Sequence, residues 1–176
     1  CLNRLGKLDD LKAHLWATFE QSLSARALRK YLKLLPDFDD VEAEEKAFDT
    51  VEAYPHLGAA IHFLVDWPAL DRAARVVLAR ANELDGNDYT TLSQAAEALD
   101  ARHPLAAVLL RRAMVEDTLM GAKSKRYRHA ARHLAECEAS ERAITDYGAV
   151  QTHEGFVAAL RQKHGRKYGF WSMVDG

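Results

Sequence analysis

Apolar residues recur along the chain at three-and-four spacing, in runs of about 10 to 17 residues separated by proline and glycine. In residues 24 to 35, Ala27, Leu28, Tyr31, Leu32, Leu34 and Leu35 make one stripe and Arg26, Arg29, Lys30 and Lys33 fall outside it. Leu70, Ala73, Ala74, Val77, Leu78 and Ala81 repeat the pattern in residues 69 to 84. Such spacing places the apolar side chains on one face of a helix, and no run shows the alternation of a strand. Pro36, Pro55, Pro68 and Pro104, with Gly86, Gly121, Gly148 and Gly165, act as stops and starts. The pattern predicts helices near 8–21, 24–35, 39–53, 57–66, 69–84, 88–102, 105–120, 124–146, 152–164 and 166–174. Ser24, Asp88 and Thr152 each stand where a side-chain oxygen can cap free backbone amides.

Composition agrees with this all-α reading. The 176 residues include 30 Ala and 23 Leu but only 10 Val and 2 Ile, so helix formers far outnumber β-branched residues. The proportions of 48% hydrophobic and 28% charged residues exclude a disordered or low-complexity chain. Three helix-closing segments end at Pro36, Pro68 and Pro104, 32 and 36 residues apart. That spacing brackets the tetratricopeptide period and predicts a tetratricopeptide-like array of helical hairpins over residues 1–176, with a compact irregular helical bundle as the alternative. The chain begins at Cys1 rather than Met and is read as a piece of a longer protein.

The formal charge of −2 conceals an acidic front and a basic back. Residues 1 to 100 carry 11 basic and 18 acidic side chains, and residues 101 to 176 carry 13 and 8. A basic back half invites an acidic partner, although its interspersed carboxylates argue against nucleic acid. The longest uncharged stretch, residues 53–65, is too short to span a membrane. Two cysteines, Cys1 and Cys137, give no disulfide framework and point to a reducing cytoplasm.

Candidate chemistry gathers in residues 126 to 137. Helical geometry puts His129, His133 and Cys137 on one ridge, where neighbours four apart can share a metal. The outer two lie about 11 to 12 Å apart, so a three-ligand site does not form, and polar contacts with a neighbouring helix are the preferred reading. No metal and no cofactor is therefore expected. Arg111, Arg112, Arg126, Arg128, His129, Arg132 and His133 are the candidate binding residues for an acidic protein or peptide. The cluster Arg161, Lys163, His164, Arg166 and Lys167 beside Tyr168, Phe170 and Trp171 has the makings of a single-strand nucleic-acid surface. The preferred reading of this cluster is a terminal helix that docks its aromatics on the body of the fold while its charges stay solvated, with Phe156, Val157, Leu160 and Met173 as its apolar face. Carboxylates at Asp37, Asp39, Asp40, Glu42, Glu44 and Glu45 read as a solvated helix start, and 84–88 as a turn.

The segments Leu35-Pro-Asp-Phe-Asp-Asp40, Phe63-Leu-Val-Asp-Trp-Pro68, Leu84-Asp-Gly86, His103-Pro-Leu-Ala-Ala107 and Arg126-Tyr-Arg-His-Ala-Ala-Arg-His-Leu134 carry a family likeness, as do His164-Gly-Arg-Lys167 and Phe170-Trp171. Together they resemble the C-terminal region of an uncharacterised bacterial family, a domain of unknown function. The resemblance implies a helical, tetratricopeptide-like fold; some relatives carry an upstream SWIM-type zinc finger, whose Cys-x-Cys and Cys-x-His pairs are missing from this sequence. The expected function is a helical-repeat module for protein or peptide binding. The alternatives are nucleic-acid binding by the basic half and a metal-dependent enzyme using His129 and His133.

Overall fold

The apolar runs form helices in the computed structural model, which describes residues 2–176; Cys1 lies outside the described residues. Among these residues there are ten α-helices and no strand. They are α1 (Leu2–Ser22), α2 (Ala25–Lys33), α3 (Asp39–Glu52), α4 (Leu57–Asp66), α5 (Leu70–Ala79), α6 (Tyr89–Leu99), α7 (Pro104–Met120), α8 (Tyr127–Ser140), α9 (His153–His164) and α10 (Tyr168–Asp175). Two compact units divide the chain, Cys1–Arg72 and Ala73–Gly176.

Two of the three expected caps form. Ser24 Oγ accepts from the amide of Ala27, and Thr152 Oγ1 from that of Gly155, both at 3.2 Å. Asp88 makes no side-chain cap; the turn before α6 is tied instead by Asp85, whose carboxylate accepts from the Asn87 amide at 2.9 Å. The helix expected over 69–84 stops at Ala79, and a 3-10 turn follows at Ala81–Glu83. Arg80 grips Glu83 there, at 2.8 Å. Short 3-10 turns likewise flank α8, trimming the long helix expected over 124–146.

In the N-terminal unit, consecutive helices α1 to α4 pack in sequence. Trp16, Phe19, Tyr31, Phe63 and Trp67 form a chain of ring contacts with centroids 5.2 to 5.7 Å apart. The carboxylates of α3 divide into two groups. Asp39, Asp40 and Glu42 occupy the exposed first turn, as expected where the helix dipole favours acids. Glu44, in contrast, accepts from Trp67 Nε1 at 2.6 Å, and Glu45, Asp49 and Glu52 all hold Arg72. The later part of the acidic run is thus tied to Trp67 and Arg72, while Glu45 and Asp49 remain solvent-exposed.

In the C-terminal unit, α7 packs against both α6 and α8 and also meets α9, and α10 lies on α8. Tyr127, Leu134, Phe156, Leu160, Phe170 and Trp171 share one core cluster with Val115 and Leu119 of α7. The terminal helix therefore docks, burying Phe170 completely and leaving Trp171 Nε1 bonded to the His164 carbonyl at 2.9 Å. Burial of such aromatics stabilises by about 2 to 3 kcal/mol each.

The hairpin repeat does not materialise; both units are irregular bundles. Pro36 stands in a loop, Pro68 in the turn between α4 and α5, and Pro104 is the first residue of α7. Three prolines at similar intervals thus hold three unrelated structural positions, and their spacing is not a structural period. Helix lengths of 8 to 21 residues show no period either.

Candidate functional site

Arg111 and Arg112 are adjacent on α7, about 100° apart around the helix, so they leave in different directions. Both are only 5% exposed. Arg111 donates from Nη1 to Asp100 Oδ1 at 2.7 Å, and its Nε lies 3.0 Å from Glu136 Oε2, an ion-pair contact off the angle of a hydrogen bond. Arg112 donates from Nη1 to the Gln151 carbonyl at 2.8 Å and stacks its guanidinium 4.5 Å from the Phe156 ring centre. Its Nε and Nη2 have no hydrogen-bond partner, and burial pulls its pKa below the ordinary arginine value.

The histidines diverge just as much. On an α-helix, positions four apart drift by about 40°, so a ridge of three sweeps from solvent toward the core. His129 is exposed, His133 is buried and Cys137 is fully buried. Tyr89 OH lies 2.7 Å from His133 Nε2, and His133 Nδ1 lies 3.0 Å from Glu136 Oε2. Burial drives the Cys137 thiol up to about 12, so it stays protonated. Among the described residues no group of three His, Cys, Asp or Glu side chains could hold a metal ion.

Tyr89, His133, Glu136, Arg111, Asp100 and Ser140 thus form one polar network joining α6, α7 and α8, with Ser140 Oγ 3.2 Å from Asp100 Oδ1. Hydroxyl, imidazole and carboxylate follow the order of an activated nucleophile. Both ring nitrogens, however, are committed inside the unit. Burial lowers the His133 pKa, against the opposing pull of Glu136. The folded state therefore binds fewer protons than the unfolded one just below the ordinary value of about 6.5, so stability is complete above it and falls as pH drops through it. Urea unfolding between pH 7.5 and 5 is expected to show this loss, and His133→Gln to shrink it. An unchanged pH slope in that variant would refute the assignment; His164, also shifted down by burial, contributes in the same direction.

Of the seven residues expected at a binding surface, Arg111, Arg112 and His133 are internal. Arg126 is half-buried, its Nη1 3.4 Å from Asn87 Oδ1, while Arg128, His129 and Arg132 are exposed on α8. Lys123, three residues before Arg126, is held by Asp117 at 2.6 Å. In the C-terminal cluster, buried Phe170 and Trp171 offer no open stacking face, and Arg161 pairs with Asp175 over the Trp171 ring.

The open concavity lies elsewhere. A groove of about 680 Å³ is lined by α8, α9 and α10. Its floor is Ala131, Leu134 and Ala135 of α8, Val157 and Ala158 of α9, and Val174 of α10. Glu138 ends the α8 stripe and Glu154 begins the α9 stripe, so each helix offers positions i, i+3, i+4 and i+7. Glu141, Asp175 and Arg161 complete the charged rim. His153 also lines it, with its buried Nδ1 lacking a hydrogen-bond partner.

The signature of a single protein family covers residues 1–173. The chain belongs to DUF6880, a family of unknown function. The DUF6880 match takes in nearly the whole chain and gives no support to a place in the C-terminal region of a longer protein, to a tetratricopeptide repeat or to a SWIM-type finger. No curated protein and no solved structure matches this DUF6880 chain. Among its described residues no helix is long and apolar enough to cross a membrane.

Proposed function

We propose that this chain is a helical module for protein or peptide binding, working through the groove of α8, α9 and α10. The observation that carries the reading is an open groove with two walls at helical spacing, Ala131, Leu134, Ala135 and Glu138 on α8 and Glu154, Val157, Ala158 and Arg161 on α9, to which α10 adds Met173 and Val174, and in which Ala135, Ala158 and Met173 stay exposed. Bundled helices normally bury such stripes on a neighbour, and a partner's segment supplies one here. The reading places the module in a reducing cytoplasm, where the buried Cys137 remains a free thiol.

A photo-crosslinking side chain at Ala135 tests it in the full-length protein in cells. A discrete adduct is expected from Ala135, abolished by Ala158→Trp in the opposite wall, and absent when the crosslinker stands at exposed Gln94 of α6. Equal adducts from both positions, or an adduct indifferent to Ala158→Trp, would defeat the reading. A second reading keeps an acidic partner. It would meet Arg128, His129 and Arg132, whose exposure on the outer side of α8 favours them over the buried members of the expected set.

A further inference from the structure

Charge along the sequence points to an acidic partner for the basic half, but the concavity of that half has the opposite sign. Four carboxylates, Glu138, Glu141, Glu154 and Asp175, line the groove against one guanidinium, Arg161, which Asp175 already holds. Of the basic excess of residues 101 to 176 only Arg161 is in the lining: Arg111 and Arg112 are internal, Lys123 is paired, and Arg128 and Arg132, exposed on α8, do not line the groove.

We infer that the groove receives a cationic amphipathic helix from a partner protein, an inference that rests on the interaction reading above. Three features specify this occupant. The lining repeats at helical spacing on both walls, so a third helix with its own three-and-four stripe interdigitates with it. Ala131, Ala135 and Ala158 carry only methyl groups, which lets a helix backbone approach closely, while exposed Met173 beside Val157 and Val174 meets its larger side chains. Lys or Arg flanking that stripe meets Glu138 and Glu141 on one side and Glu154 on the other. Long basic side chains suit such a rim because their methylenes cover apolar surface while the charge reaches the carboxylates.

The full chain, immobilised, can select from a displayed library of 18-residue helical peptides. Each peptide carries a fixed Leu/Ala stripe, with flanking positions randomised among Lys, Glu and Gln. Lys-rich peptides are expected to enrich, to weaken about tenfold on Glu138→Lys, to weaken further with added salt, and to be lost on Ala135→Trp. Ala135 is exposed, so its replacement leaves the core intact, and an unchanged melting curve verifies this. Glu-rich or uncharged winners that Ala135→Trp still abolishes would overturn the cationic occupant and leave the groove reading standing. Winners indifferent to Ala135→Trp, or no enrichment, would overturn both.

Discussion

Gly86→Ala is expected to destabilise the C-terminal unit by about 3 kcal/mol, the upper part of the range for forcing an atom into a filled interior. Gly86 is buried in the turn before α6, where its backbone lies against α7. A Cβ there would stand 2.1 Å from the Ala113 carbonyl oxygen and 2.6 Å from Asp117 Cβ. The first obstacle is helix backbone and cannot swing aside, so either the turn or α7 must move. Asp85 braces the turn through the Asn87 amide, and α7 is packed by α6 and α8, which leaves little room to yield. A drop in melting temperature of roughly 10 °C is expected. Gly6→Ala provides the control of opposite sign: nothing lies within 4 Å of its added Cβ, and α1 should gain about 0.5 to 1 kcal/mol. Equal melting of Gly86→Ala and the parent protein would show that the close approach is not enforced.

Gly86 also marks a limit of what the sequence discloses. As punctuation between helical runs it predicts the turn correctly, yet its steric role depends on Ala113 and Asp117, which no local pattern connects to it. The ten helices are legible because three-and-four spacing and the Pro and Gly stops are local. How they pack is not: regular proline intervals suggest a repeat, but interval is a property of the chain, whereas a solenoid requires equivalent contacts. Arg111 and Arg112 were misplaced on the surface for a related reason. Charge ordinarily means solvent, but α7 is covered on several sides. The signal was present in Leu109, Leu110, Met114 and Val115, apolar residues that flank the arginines around the helix. The network of Tyr89, Asp100, Glu136 and Ser140 is not legible in the sequence because its bonds join two ends of α6 to α8 and to Arg111 of α7, segments that no local pattern connects. The groove is hidden for the converse reason: its walls are largely Ala, Val and Leu, residues that read as core in the sequence although Ala135 and Ala158 stay exposed in the fold.

Glu136→Leu should cost about 3 kcal/mol, at the lower end of the range for breaking a buried ion pair because Glu136 is itself 38% exposed. The cost comes from what remains behind. Arg111, its side chain 7% exposed, would keep only Asp100, and His133 Nδ1 would lose its acceptor. Adding Arg111→Met removes the stranded guanidinium and fills part of its space, so the double variant is expected to recover about 1 to 3 kcal/mol relative to the sum of the single changes. Urea unfolding of all four proteins measures that coupling, and strict additivity would show that the 3.0 Å contact carries no energy. The same cycle separates structure from function in α8, whose inner side carries His133 and Glu136 and whose groove side carries Ala131, Ala135 and Glu138. If the network only pins α8 to α6 and α7, the double variant should regain stability and bind Lys-rich helices within about twofold of the parent. Regained stability with lost binding would instead place the network within the binding site, acting through the position of α8.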